Sequence, residues 1–216
     1  MSVEQQVRIH FAADASRFDA IYEDQKSALS RWIDNVWRGV VRRRFDLTLE
    51  RLEPLAGKSV LDVGCGSGRY CLAYAEKGTT KVVGVDFAAP MIELAKKHAH
   101  RLGVEKQCDF RIGTFPQAVP DGPFDVSTAM GFFDYVEEPI SIIQRMRELT
   151  RETIVMSFPK ALEWRIPIRW LRFKFINKCP LFLYTEGRLR KILAAAGITK
   201  YELIKMDRDY IVIAHL

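Results

Sequence analysis

The sequence predicts a doubly wound α/β fold, and three observations carry that prediction. Short apolar runs alternate with helical stretches, one run closes in a glycine-rich loop, and the chain ends in two strands joined by a tight turn. Alternation at this spacing implies right-handed βαβ crossovers and a parallel sheet covered on both faces. The closing pair implies an antiparallel hairpin at one edge, so the expected sheet is mixed and seven-stranded.

The elements follow in order. Residues 1–28 are mixed, with Phe11, Phe18, Ile21 and Tyr22 as apolar anchors. Residues 29–52 read as an amphipathic helix, because Trp32, Val36, Trp37, Val40, Val41, Phe45, Leu49 and Leu52 recur at helical spacing. Pro54 and Gly57 end it. Residues 59–63 are a short apolar run of the kind a buried parallel strand shows. A helix from Arg69 to Lys77 stops at Gly78. A second strand covers 81–86, and Pro90 opens a helix to Leu102. Strands are expected over 108–112, 124–129 and 153–158, with a helix from Pro139 to Leu149 before the last of these. Glu186 to Ala196 is a helix. Tyr201–Met206 and Tyr210–His215 are strands around a turn at Asp207-Arg208-Asp209. The organisation is one structural domain: an N-terminal helical cap over 1–53, then a core over 54–216 with an inserted lid at 159–183.

Bulk composition narrows the classes. A chain of 216 residues with 48% hydrophobic and 28% charged residues is ordinary for a globular protein. No apolar run is long enough to span a bilayer, and the N-terminus lacks a signal-peptide pattern. Cys65, Cys71, Cys108 and Cys179 are scattered, which indicates neither a zinc site nor a disulfide framework, and no metal is expected. A reduced, cytoplasmic protein is the simplest expectation. The net charge of +6 is concentrated. In residues 159–178, Lys160, Arg165, Arg169, Arg172, Lys174 and Lys178 face one acid, Glu163, and the rest of the chain is nearly neutral. Such a patch suits an anionic substrate, a lipid surface or nucleic acid, or is simply a solvated helix face. The chain has no second basic patch, so the nucleic-acid signal is weak.

The strongest local signal is Asp62-Val63-Gly64-Cys65-Gly66-Ser67-Gly68. Glycines here let the backbone turn tightly and approach a ligand at a helix N-terminus, at the sheet edge where doubly wound proteins bind cofactors. Dinucleotide binders space this loop G-x-G-x-x-G; here it is G-x-G-x-G. Asp62 at the strand end would repel a pyrophosphate and suit an ammonium. Asp86 closes the second strand about twenty residues on, where an acid accepts from both ribose hydroxyls. A helix cap is the alternative for Asp86.

On these residues the chain resembles the class I S-adenosylmethionine-dependent methyltransferases, over roughly residues 40–216. The resemblance implies a Rossmann-like methyltransferase fold and S-adenosylmethionine as cofactor, leaving S-adenosylhomocysteine. It implies that Gly64, Cys65, Gly66, Ser67 and Gly68 wall the methionine part, that Asp86 holds the ribose, and that Phe87 and Met91 touch the adenine. Thr114 and Phe115 follow the third strand, where the family caps the adenine amine. Thr114 replaces an acid, so a backbone contact is expected instead. Met130 and Gly131 follow the fourth strand, where a carbonyl meets the ammonium. More loosely, Arg44 is placed like an arginine that meets the cofactor carboxylate in ubiquinone-biosynthesis O-methyltransferases. The stretches 11–22 and 183–197 look similar to magnesium-protoporphyrin O-methyltransferases.

Methyl transfer is an in-line displacement in which the protein mainly aligns the nucleophile. Asp134 and Tyr135, after the fourth strand, are the candidates for a base. The run Met130 to Tyr135 lacks the Asn/Asp-Pro-Pro-Tyr/Phe pattern of nucleobase amine methylation. Cys179-Pro180 lies away from the site that pyrimidine C5 methylation requires. His98 and His100 are expected at the surface, behind the cofactor. Residues 159–183, aromatic and basic, read as a lid, with Tyr22, Trp164, Arg165, Arg169 and Arg172 facing an apolar or anionic acceptor. An extra packed helix, a dimer contact or peripheral membrane attachment through 159–178 are the alternatives. The expected activity is methylation of a small molecule, at oxygen in preference to carbon or nitrogen. An RNA or membrane-associated lipid or quinone methyltransferase, an NAD-dependent oxidoreductase and a non-catalytic binding module are the rivals.

Overall fold

The computed structural model describes residues 28–119, 122–161 and 181–216. Helix α1 spans Ala28–Leu52, followed by β1 (Ser59–Val63), α2 (Arg69–Glu76), β2 (Lys81–Asp86), α3 (Ala89–Leu102) and β3 (Cys108–Ile112). Then come β4 (Phe124–Ala129), a 3-10 turn (Phe133–Tyr135), α4 (Pro139–Glu148), β5 (Thr150–Pro159), α5 (Glu186–Ala195), β6 (Tyr201–Lys205) and β7 (Asp209–His215). The described residues form a seven-stranded sheet in the order β3-β2-β1-β4-β5-β7-β6.

Strands β1 to β5 pair in parallel, and β7 runs antiparallel to both β5 and β6. The hairpin is therefore folded into the sheet: its second strand sits inside, and β6 takes the edge. Two departures from the sequence reading lie here. Strand β5 begins at Thr150 rather than at residue 153, because Thr150 pairs with Phe124 although Arg151 and Glu152 are exposed. Asp209 is not a turn residue; it opens β7, opposite Pro159, and is 7% exposed.

Side chains alternate across the sheet and build a core on each face. Leu61, Val63, Val83 and Val85 pack with Ile143 and Met146 of α4 and Leu189 and Leu193 of α5. Val60, Val82 and Val126 pack with Leu52 of α1, Cys71 and Tyr74 of α2 and Ile92 and Ala95 of α3. That division follows from handedness. Crossovers to β2 and β3 run one way along the sheet, and the crossover from β4 to β5 runs the other, so right-handed turns put their helices on opposite faces.

His98 corrects an expectation: it is buried at 5%. On α3 it continues the stripe of Met91, Ala95 and Ala99, which all face inward, while His100 is exposed.

The order reverses between β1 and β4, which places a crevice at their C-terminal ends. The chain leaves the sheet after β5 and returns before α5 through a closed neck. Lys160 bridges Tyr184, Tyr184 N donates to Pro159 O at 2.8 Å, and Ala161 N donates to Tyr184 O at 2.8 Å. No helix among the described residues is long and apolar enough to cross a membrane.

Candidate active site

The glycine loop leaves β1 at the crevice. Gly64 N and Cys65 N both donate to Val85 O, at 2.8 and 3.1 Å, and bind the loop to the end of β2. Gly64, Gly66 and Gly68 have φ of 72°, 53° and 80°, where other residues are strained. Their surroundings differ. A Cβ on Gly68 would stand 2.9 Å from Ala95 Cβ, so this glycine lets α2 pack on α3. A Cβ on Gly64 would stand 2.7 Å from Phe132 Cδ2, a cover with no local sequence signal. A Cβ on Gly66 would meet nothing within 4 Å. The open face of the loop is therefore at Gly66, beside the half-buried Ser67.

Asp86 stands next to that face. Its Oδ2 accepts from Gly66 N at 2.9 Å and its Oδ1 from Ala88 N at 2.9 Å. It thus couples loop to strand and also serves the start of α3, which the sequence reading had held as the alternative role. Burial raises its pKa, and the two backbone donors oppose that shift. Each oxygen keeps a second lone pair, so a ribose hydroxyl can still be accepted. Phe87 is part-exposed, while Met91 is 2% exposed and packs with Ala88 and Phe87. Phe115 is turned into the core with Val63 and Val85, so it offers the crevice little surface. Thr114 donates to Gln117 Oε1 at 3.2 Å.

Asp62 lies beneath the loop, 2% exposed. Its Oδ1 accepts from Thr128 Oγ1 at 2.8 Å and its Oδ2 from Cys71 Sγ at 3.3 Å. Burial pushes its pKa up to about 7, against those hydrogen bonds. The cysteines that looked scattered converge here: a Cβ on Gly84 would stand 2.9 Å from both Cys65 Sγ and Cys71 Sγ. Burial pushes the Cys71 thiol well up, which makes it a packing group rather than a nucleophile.

Across the crevice, Met130 and Gly131 follow β4. Gly131 N donates to Ser157 Oγ at 2.7 Å, and Met130 Sδ receives Thr48 Oγ1 at 4.0 Å. Arg44 reaches the same place from α1. Its Nη2 lies 3.5 Å from where a Cβ on Gly131 would stand, and its Nη1 donates to Asp209 Oδ2 at 3.2 Å. Burial alone would lower its pKa, but Tyr70, Asp209 and Asp134 outweigh burial and hold the guanidinium charged. The structure so brings Arg44, Gly66, Asp86 and Gly131 to one sheet edge, with Tyr70 and Asp209 beside them.

Asp134 and Tyr135 sit half-buried on the 3-10 turn at this edge. The turn is held from below: Tyr184 Oη donates to Phe133 O and Val136 O at 3.2 and 3.3 Å, and Phe182 N donates to Asp134 O at 2.9 Å. The Phe133 ring stacks on Phe158 at 4.5 Å. Asp125 is consumed elsewhere, at the opposite end of β4, by Ser59 and Arg151. No group of three potential metal ligands occurs among the described residues. Tyr22, Trp164, Arg165, Arg169, Arg172 and Cys179 lie outside the described residues.

Comparisons with known proteins give the family of the chain. The model of the methyltransferase domain family matches residues 55–197. A ubiquinone biosynthesis O-methyltransferase of Actinobacillus pleuropneumoniae serotype 5b is 36% identical over 121 residues, covering 53% of this chain and 50% of that one. The chain thus spans about half the length of that relative. The ubiquinone biosynthesis O-methyltransferase of Neisseria meningitidis serogroup A is 31% identical over 190 residues, covering 83% of this chain and 71% of the relative. Among solved structures, magnesium protoporphyrin IX methyltransferase from Synechocystis PCC 6803 superposes with a TM-score of 0.77 at 21% identity. It covers 100% of this chain and 97% of that one, a likeness of fold.

Proposed function

Since the chain belongs to the class I S-adenosylmethionine-dependent methyltransferases, we propose that it moves a methyl group from S-adenosylmethionine to an oxygen of a small-molecule acceptor. The observation that carries this reading is the pairing of an open Gly66 with Asp86 at the crevice. A loop with free space on one side and an acid fixed beside it fits a nucleoside that must lie against backbone and offer hydroxyls to a carboxylate. The Asp62 carboxyl and the Gly131 edge fit the ammonium end, and Arg44 fits the carboxylate end. The bound donor would supply an electrophilic methyl carbon, and the chain's part is alignment.

Asp134 and Tyr135 lie across from the loop and are our candidates for taking the acceptor's proton. The preference for oxygen is supported by the names of the relatives, which are O-methyltransferases. The family match leaves the oxidoreductase alternative without support. Residues 159–183 are proposed to cover an apolar or anionic acceptor, because their neck opens at the crevice side of β5. A lipid or quinone acceptor met at a membrane surface is the variant of this reading that the basic, aromatic composition favours.

The test has two arms. S-adenosylhomocysteine at about 100-fold its dissociation constant should stabilise the protein by roughly 2.7 kcal/mol, and NAD should not. Radiolabelled methyl should pass from the donor to members of a panel of phenols and carboxylic acids. A stabilisation by NAD alone would refute the cofactor, and transfer only to amine or RNA acceptors would refute the oxygen. Changing Arg165, Arg169 and Arg172 together to Ala should lower turnover and leave S-adenosylhomocysteine binding intact. Loss of that binding in a folded variant would remove the lid assignment.

A further inference from the structure

Three elements far apart in sequence meet at the Gly131 side of the crevice. Arg44 comes from the last turns of α1, Tyr70 from the first turn of α2, and Asp209 from the first position of β7. The Arg44 and Asp209 side chains are only 16% and 10% exposed. A guanidinium carries five N–H donors, and Asp209 takes one of them, at Nη1. Nη2 faces Gly131. Nε is shut from solvent and has no hydrogen-bond partner.

The Tyr70 hydroxyl stands beside the guanidinium, and each group alters the other's proton affinity. It too is shut from solvent and has no partner that meets hydrogen-bond geometry. The ring is fixed: Phe45 lies 5.1 Å away and Tyr74 6.1 Å away, centroid to centroid. A cation beside a hydroxyl draws the oxygen lone pairs toward itself, so the O–H proton is directed to another acceptor. A buried donor left unmade is costly, and the unused Nε–Nη2 edge of an arginine matches the two oxygens of a carboxylate.

We propose that Arg44, Tyr70 and Asp209 act as one unit that reads the terminal carboxylate of the methyl donor's aminoacyl end. Asp209 is a positioning residue that takes Nη1 and turns the Nε–Nη2 edge toward the ligand. Tyr70 is the second donor to the same carboxylate. The inference rests on the methyl-donor reading above, and it adds two residues to it. Gly131 belongs to the same device: its φ of 77° favours glycine, and a Cβ there would lie in contact with Nη2 at 3.5 Å. A purely structural role for the Arg44–Asp209 pair, tying α1 to β7, makes a different prediction.

The experiment measures binding by calorimetry for two ligands. One is S-adenosylhomocysteine; the other is its decarboxylated analogue, which keeps the adenosine, sulfur and ammonium. The proteins are the wild type, Tyr70→Phe and Asp209→Asn, each checked for fold by circular dichroism. Tyr70→Phe should weaken S-adenosylhomocysteine about tenfold or more, the size of a hydrogen bond to a charged group, and change the analogue less than about twofold. Asp209→Asn should show the same selectivity. Equal loss for both ligands would make the cluster a structural tether and overturn the proposal, as would no loss for either. If Asp209→Asn fails to fold, Tyr70→Phe, which keeps the ring packing, decides alone. A wild type that binds neither ligand would instead overturn the methyl-donor reading itself.

Discussion

The replacement Asp62→Asn isolates the electrostatic strain under the glycine loop. Asp62 is 2% exposed, and its carboxyl is pushed from the ordinary 3.8 to about 7, chiefly by burial. The folded protein therefore keeps this proton up to about pH 7, whereas the unfolded chain releases it near pH 4. Between those values the native state binds more protons, so its stability falls as pH rises. Stability from this group is fully present below the unfolded pKa and is gone once pH passes the folded one. A shift of about three units corresponds to about 4 kcal/mol. Asparagine keeps the shape and an acceptor for Thr128 but cannot ionise. Denaturant unfolding of both proteins from pH 4 to pH 8 should show the variant gaining on the wild type by about that amount across the window. A stability difference that stays flat over this range would show that Asp62 ionises normally in the native protein, and the burial argument would fail. The same strain bears on the ligand: an ammonium set against Asp62 would favour the ionised form, so binding near pH 6 should release protons.

Other outcomes follow from the same geometry. Asp86→Ala should weaken S-adenosylhomocysteine by about 2–3 kcal/mol in calorimetry, since hydrogen bonds to a carboxylate are lost while the sheet remains; unchanged affinity in a folded variant would remove Asp86 from the site. Gly66→Ala should leave a folded protein with poor ligand binding, because its Cβ enters the open face of the loop. Gly68→Ala should instead depress the melting temperature, because its Cβ meets Ala95 and Phe110; equal behaviour of the two variants would contradict the division of labour among the glycines.

The central parallel strands β1 and β2 were legible because they are buried on both faces and read as short, mostly apolar runs. The loop was legible because left-handed backbone selects glycine. Residues 150–152 were not legible as strand, since Thr150 is polar although buried, Arg151 and Glu152 point outward, and only the pairing with Phe124 makes the stretch β. His98 was misread because histidine carries no clear apolar signal, and its register with Met91 and Ala95 shows only on the helix. The contact between Arg44 and Asp209 joins residues 165 positions apart, beyond any local pattern. Asp209 looked like turn chemistry for the same reason that aspartates usually do. Tyr70 and Phe132 gave no sign, because an aromatic residue next to a glycine loop is as easily core as site.

The neck at Lys160 and Tyr184 has a consequence for how such a protein can change. Backbone hydrogen bonds hold the two ends of the excursion in register, so the length of chain between them carries a loop-closure cost. That dependence is logarithmic, about 0.6 kcal/mol for each doubling. A change of that size is small beside the backbone pairing that holds β5 between β4 and β7. On the proposed lid assignment, recognition of the acceptor and grip on the methyl donor are heritable traits of separate stretches of the gene, free to diverge at different rates.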